Sequence, residues 1–215
     1  RFGGLQALSD VAVTIEKGRP WGSAGPLAVD GVVAATDAEV RALVEQARQA
    51  GRPPAEVGLV GGDLCRTVGG RGDRARLATP DAVRLPVDVA AVTIDGESHW
   101  FVAHLVARRS WWRGRVVAVM NAQWIGRWDV APRSHPNDGL LDLFDGSPSL
   151  DDRWKARRRL ITGTHVPHPA IVQRRTDALE LELDPPLDVY LDGVKVGRGR
   201  HLEIRVEPDA LTCVV

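Results

Sequence analysis

Apolar and polar positions follow two textures along the chain, and the first mixes strand-length with helix-length apolar runs. Val11-Ala12-Val13-Thr14-Ile15 is a short strand candidate, followed by turn-rich sequence from Gly18 to Pro26. Gly31-Val32-Val33-Ala34 reads as a second, buried strand. Thr36-Asp37-Ala38-Glu39 has the form of a capping box, in which the Thr36 hydroxyl accepts from the third helical N–H while Glu39 reaches back. The helix it opens carries Val40, Leu43, Val44 and Ala47 on one apolar stripe, and Gly51 with Pro53-Pro54 ends it. Val57 to Val60 is the next strand, and Gly61-Gly62-Asp63 stands where it would turn into a second helix. That order predicts parallel pairing with a crossover helix and puts the ligand edge at the loops after the strands.

Beyond Gly69-Gly70-Arg71-Gly72 the texture becomes short strands separated by Asp-Gly and Pro turns. Strands are predicted at Val87–Ile94, His99–Val106, Val116–Asn121, Leu140–Phe144, Ala170–Arg174, Leu179–Leu183, Val189–Leu191, Leu202–Val206 and Thr212–Val215. So many strands with short turns predict a sandwich. One helix interrupts them at Leu150–Leu160, capped by Ser149 and carrying Trp154.

Composition narrows the partners. The 215 residues hold 28 Lys and Arg against 28 Asp and Glu, so no net basic field draws the chain to nucleic acid, and none is expected as a partner. Two cysteines far apart, Cys65 and Cys213, suggest reduced thiols in a cytoplasm rather than a disulfide framework or a zinc site. The uncharged stretch Val116–Gly126 is too short to span a bilayer and Arg1-Phe2-Gly3 does not open a secretory signal, which leaves peripheral membrane contact as the one membrane reading. Seven of the eleven aromatic residues are Trp, most of them in the second half. Trp111 and Trp112 beside Arg108, Arg109, Arg113 and Arg115 read either as sheet residues, one packed and one shielding, or as a lipid-interface pair. Lys155, Arg157, Arg158 and Arg159 read as a solvated helix face or as a contact for anionic lipid. His165 and His168, bracketed by prolines, lack the other ligands of a zinc site.

The segment Val117 to Gly126, then Ala131-Pro132 and Asn137-Asp138-Gly139-Leu140-Leu141, resembles the second domain of the bacterial diacylglycerol and sphingosine kinase family. There a strand ending in Asn, here Asn121, leads through a glycine turn to Ala-Pro and an Asn-Asp-Gly-Leu-Leu loop. The basic helix Trp154–Leu160, Thr162 to Pro169 and Pro186 to Gly193 extend the match over Leu85 to Val215. The resemblance implies an α/β plus β fold: a shortened Rossmann-like nucleotide domain over residues 1–82, then a β-sandwich over 83–215. It implies ATP and Mg2+ as cofactors and a lipid or other small hydrophobic alcohol as substrate. Oligomeric state stays open.

Residue by residue, the family's magnesium loop maps onto the Asp138 carboxylate and the carbonyls of His135 and Leu140, oxygen ligands suited to a hard cation. The alternative is a tight turn without metal. The family's Asp after the nucleotide domain maps onto Asp88, and its Asp-Gly-Glu acid/base loop onto Asp192-Gly193-Val194. Val194 cannot accept a proton, so Asp192 would have to, although Asp-Gly here is also a hairpin signal. The phosphate loop Gly-Gly-Asp-Gly-Thr is replaced by a run in which Thr36 and Asp37 stand with Ala35, Ala38 and Glu39. The second loop resembles Gly61-Gly62-Asp63 with Arg66. Two functions follow from this pattern: a lipid-kinase-like phosphotransferase with catalytic Asp192 and Asp88, or a catalytically degenerate lipid- or nucleotide-binding or scaffold protein.

Overall fold

The computed structural model describes residues 20–164 and 169–215; the strand expected at Val11–Ile15 lies outside them, as do His165 and His168. The first part contains strand β1 (Ser23–Ala24), strand β2 (Val32–Ala34), helix α1 (Asp37–Gln49), strand β3 (Val57–Leu59) and helix α2 (Gly62–Thr67). After a 3-10 turn at Arg76–Ala78 come β4 (Val83–Ile94), β5 (Glu97–Phe101), β6 (His104–Arg108) and β7 (Val116–Met120). A small hairpin, β8 (Trp124–Ile125) and β9 (Trp128–Asp129), leads to β10 (Leu141–Gly146), helix α3 (Leu150–Arg159), β11 (Ile171–Thr176), β12 (Ala178–Leu191) and β13 (Val194–Val214).

The main sheet is mostly antiparallel and runs in the order β1-β4-β13-β12-β6-β7-β10-β11, with β5 paired to β4. Two features bend it into a sandwich. The β12–β13 ladder shifts register between Glu182 and Leu187, and the β13–β4 ladder between Glu207 and Leu211; such breaks sharpen local twist and bend the strand. The bent halves then face each other, and Ala90, Val92, Ile94, Leu202 and Ile204 share one core with Leu105, Val117, Val119, Leu141 and Leu143. Predicted separate strands at Leu179–Leu183 and Val189–Leu191 are one long strand, β12, and those at Leu202–Val206 and Thr212–Val215 are one strand, β13.

Of the expected nucleotide-type domain, the described residues carry a parallel pair, Val32 opposite Val57, with α1 crossing between β2 and β3. This pair continues the sandwich sheet, because β3 also lies parallel to β13, Cys213 opposite Val57. β4 joins both cores through the twofold alternation of a strand. Its Val87 and Val89 meet Val40, Val44, Leu59 and Leu64, while its Ala90, Val92 and Ile94 face the sandwich. The α1 stripe forms as expected, with Val40, Val44 and Ala47 buried. The β2 strand is not the buried strand expected: Ala34 is buried but Val32 lies open at the sheet edge.

Cys65 and Cys213 are buried, unbonded thiols in the same core, and burial raises both above the usual thiol range. Among the described residues no helix is long and apolar enough to cross a membrane.

Candidate functional site

Among the described residues, three clusters hold the side chains that could do chemistry. The first forms where the loops after β2 and β3 meet. Thr36 caps α1 by accepting from the Glu39 N–H at 3.2 Å. Glu39 reaches one residue further back than the capping box predicts and accepts from the Ala35 N–H at 2.7 Å. Asp37, the first residue of α1, turns its carboxylate to the start of α2, where it accepts from the N–H groups of Asp63 at 2.6 Å and Leu64 at 3.0 Å. The two glycines serve this closure. A Cβ on Gly61 would lie 2.4 Å from the Ala35 carbonyl oxygen, and one on Gly62, whose φ is +93°, would lie 2.5 Å from Asp37 Oδ1. Gly61 and Gly62 therefore let the two loops close on each other.

Asp63 accepts from the Gly126 N–H at 2.9 and 3.0 Å, and Arg66 donates to the Gly126 carbonyl at 2.9 Å while stacking 3.4 Å above the Trp124 ring. The β8–β9 hairpin is thus pinned to α2. His104 lies with Nδ1 3.8 Å from Asp63, buried and without a hydrogen-bond partner on that nitrogen; burial pushes its pKa down to about 4, so the imidazole is neutral.

Asp192 makes the turn from β12 to β13. Its φ of +49° and the +82° of Gly193 are those of the hairpin turn the Asp-Gly pair predicts. The carboxylate points inward, only 7 % exposed, and accepts from the N–H groups of Val102 at 3.1 Å, Ala103 at 2.9 Å and His104 at 3.1 Å. These bonds explain a second departure from the predicted strands. The run His99–Val106 is split into β5 and β6, because the main-chain donors at the break belong to Asp192. Burial raises Asp192 to about 7 against those three bonds, and raises Asp37 to about 6.

The second cluster is organised by Asp88. Its carboxylate accepts from the N–H of Gly139 at 2.8 Å, the N–H of Asp209 at 3.0 Å and the Asn137 amide at 3.2 Å. Asp88 therefore fixes the Asn137-Asp138-Gly139 loop. Asn121 links this loop to the first cluster, its amide donating to the carbonyls of Asp88 and Val102, each at 2.8 Å. Asp138 accepts from the Leu140 N–H at 3.1 Å and pairs through its other oxygen with Arg175. Arg175 also lies 3.3 Å from Asp142, a carboxylate 1 % exposed and raised by burial. His135 packs edge-on against Trp21, with ring centroids 4.4 Å apart.

These arrangements bear on the expected cofactors. A magnesium ion asks for a carboxylate with oxygens to spare, and both oxygens of Asp138 are engaged, one by a guanidinium that already supplies the positive charge. The His135–Asp138–Leu140 loop in this form does not fit the ion. Triphosphate oxygens ask for free main-chain N–H groups, and those of Ala35, Asp63 and Leu64 already face Glu39 and Asp37. The loops do not fit a nucleotide either.

The third cluster was only half legible. Between α3 and the sheet lies an apolar groove of about 160 Å³, walled by Trp111, Trp128, Val130, Phe144, Leu160 and Ile171. Trp111 packs edge-on against Trp128 at 5.6 Å. Arg153 holds the wall in place: buried on α3, it donates to the carbonyls of Pro148 at 2.8 Å, Trp111 at 3.0 Å and Gly114. Trp111 and Trp112 lie in the loop between β6 and β7, not within a strand. Trp111 is partly buried against the groove and Trp112 is 45 % exposed.

The structure thus brings Asp37, Asp63 and Asp192 together around His104, with Thr36, Gly61, Gly62 and Arg66 in the loops that enclose them. Asp88, Asp138, His135 and Leu140 form a separate cluster. Sequence reasoning missed His104, Arg153, Arg175 and Trp128, for which no local motif exists.

The model of the YegS C-terminal NAD kinase beta sandwich-like domain matches residues 86–215. No curated protein matches the chain. Among solved structures, a "putative diacylglycerol kinase" from Bacillus anthracis superposes with a TM-score of 0.68 at 15 % identity, covering 86 % of this chain and 77 % of that one. A diacylglycerol kinase structure from the same organism gives 0.64 at 15 % identity, over 86 % and 75 %. At such identity the likeness concerns the fold, but the family match spans more than half of the residues. With its bent sandwich, its Asn-Asp-Gly-Leu loop and its Asp-Gly turn in that match, the chain belongs to the YegS C-terminal NAD kinase beta sandwich-like domain family.

Proposed function

We propose that the chain is a lipid-binding protein of lipid-kinase-like fold that works without turning over nucleotide, holding one end of an acyl chain in the groove under α3. The groove carries this reading. Its walls are apolar and aromatic, and its volume matches the scale at which an apolar protein cavity accepts a benzene-sized guest. That suits the tip of a hydrocarbon chain. The closed loops support the second half of the proposal: phosphoryl transfer needs a phosphate cradle and a charge-neutralising ion, and Asp37, Glu39 and Arg175 occupy those positions from within.

The test is intrinsic Trp fluorescence against dodecanoate below its micelle concentration. Saturable quenching or a blue shift is expected, lost in Ile171→Glu, which puts a charge into the groove. An unchanged spectrum would remove the lipid reading.

A phosphotransferase reading is favoured by one observation. Burial raises Asp37 to about 6 and Asp192 to about 7 in one cluster, toward the range expected of acid/base groups. That reading would require the loops to open, freeing the Asp138 carboxylate for a hard cation and the N–H groups of Ala35, Asp63 and Leu64 for phosphate oxygens, with Asp192 as the proton acceptor. Magnesium-dependent consumption of ATP with a diacylglycerol or a long-chain amino alcohol would establish it in place of the first.

A further inference from the structure

The helix that covers the groove with Arg153, Ala156, Arg157 and Leu160 carries a second feature outside the groove lining, which binding of an acyl chain does not use. Leu150 and Trp154 lie one turn apart on α3 and Ile161 follows just beyond the helix's C-cap, Leu160; they are 56 %, 56 % and 54 % exposed. Trp112, 45 % exposed, joins them across the groove through Arg157, whose guanidinium lies 5.4 Å above its ring. Arg158 stacks 4.5 Å over Trp154. Single open apolar side chains are ordinary; several gathered on one short segment are informative.

Charge on the same helix is segregated. Its last turn carries Arg157, Arg158 and Arg159, while its acids, Asp151 and Asp152, lie in the first turn, Asp151 2.5 Å from Lys155. A helix with exposed Trp and Leu beside arginines offers indole and aliphatic surface at headgroup depth and cations at phosphate level. A second copy of this face would bring arginine against arginine, and an apolar protein groove would leave three guanidinium groups without counter-charge.

We infer that this face of α3, with Trp112 and Ile161, docks the protein on an anionic lipid bilayer, so that a lipid enters the groove directly from the membrane. The inference rests on the groove being a lipid site, and the two are separable. Docking uses Leu150, Trp154 and Arg158 along one side of α3, with Arg159 adding charge from its flank; chain insertion uses the groove walls, which none of these residues lines.

Cosedimentation with phosphatidylcholine vesicles, with and without about one-fifth phosphatidylserine, tests it, since each surface arginine contributes roughly fivefold to binding an anionic membrane. The full chain should bind the anionic vesicles with a blue shift of Trp emission, weaken as salt rises, and show little affinity for phosphatidylcholine alone. Arg158→Gln with Arg159→Gln should lower the partition on the order of twentyfold, with unchanged circular dichroism and unchanged dodecanoate quenching. Equal binding of the double variant, no binding to anionic vesicles, or lipid-free dimers that Trp154→Ala dissolves would each overturn the docking face. Dodecanoate quenching without vesicle binding would remove docking and leave the groove. Vesicle binding without dodecanoate quenching would do the reverse.

Discussion

Replacing Asp192 by Ala removes the acceptor for the N–H groups of Val102, Ala103 and His104, all at a site where water does not reach. A buried donor left without a partner costs about 1–3 kcal/mol, so three cost about 5 kcal/mol, the lower end of the whole stability of a domain at ~5–15 kcal/mol. Asp192→Asn keeps the oxygen that serves Ala103 and His104 but turns an amide toward the Val102 N–H, and should lose about 2 kcal/mol. Urea denaturation at pH 7 measures both. A loss below about 1 kcal/mol in the Ala variant would show that the carboxylate is not what holds the break between β5 and β6. The pH dependence adds a signed test. Asp192 binds its proton more tightly in the fold, near pH 7, than at its ordinary value of 3.8. Its contribution is therefore complete below about pH 4 and is lost as pH climbs through 7, up to about 4 kcal/mol in all. Asp37, raised to about 6, acts in the same direction. His104, lowered to about 4, acts against both by favouring the fold above its ordinary 6.5. The informative quantity is thus the difference between wild type and Asp192→Asn, which should shrink as pH rises from 4 to 7. A constant difference across that range would refute the argument.

Gly62→Ala should lower stability by about 2 kcal/mol, because its Cβ would press on Asp37 from a strained backbone; a neutral substitution in thermal melts would mean the two loops are not closed on each other. Arg175→Ala leaves Asp142 buried without its cation and should cost about 2 kcal/mol. Millimolar Mg2+ should not restore the variant's melting temperature, and a recovery would reveal a metal site after all. Arg153→Ala should destabilise by about 3 kcal/mol through its three carbonyl partners, with weakened dodecanoate quenching as the groove wall loosens; full quenching would show that Arg153 does not shape the groove. Calorimetric titration of wild type with ATP and Mg2+ should give no saturable heat, and micromolar binding would contradict the occupied amides.

What could be read in advance divides by distance along the chain. The caps on α1 and α3 were legible because Thr36 and Ser149 act within their own first turns. The Asp-Gly turn at Asp192 was legible for the same reason. Its inward carboxylate was not, since it acts on residues of a distant strand, and the interruption of β5 and β6 went unseen with it. Gly61 and Gly62 were recognised as glycines a loop requires, but the group that crowds them, Asp37, approaches from another loop. Arg175 lies one residue past the strand predicted at Ala170–Arg174 and no motif marks it; only the pairing of β10 with β11, Asp142 opposite Arg175, puts it between two aspartates. The groove was half visible, as an excess of Trp, because its lining is shared between the β6–β7 loop, the small hairpin and α3.

The shared strand β13 has a temporal consequence. Its end hydrogen-bonds in parallel with β3 while other parts of it pair with β4 and β12, so α1 and β3 gain this flank only after all the intervening strands have been made. Pairings between such remote segments close large loops and slow the search for the native state. During synthesis the emerging first part would wait, its apolar edge uncovered, while the intervening strands of the sandwich are made and until β13 follows them.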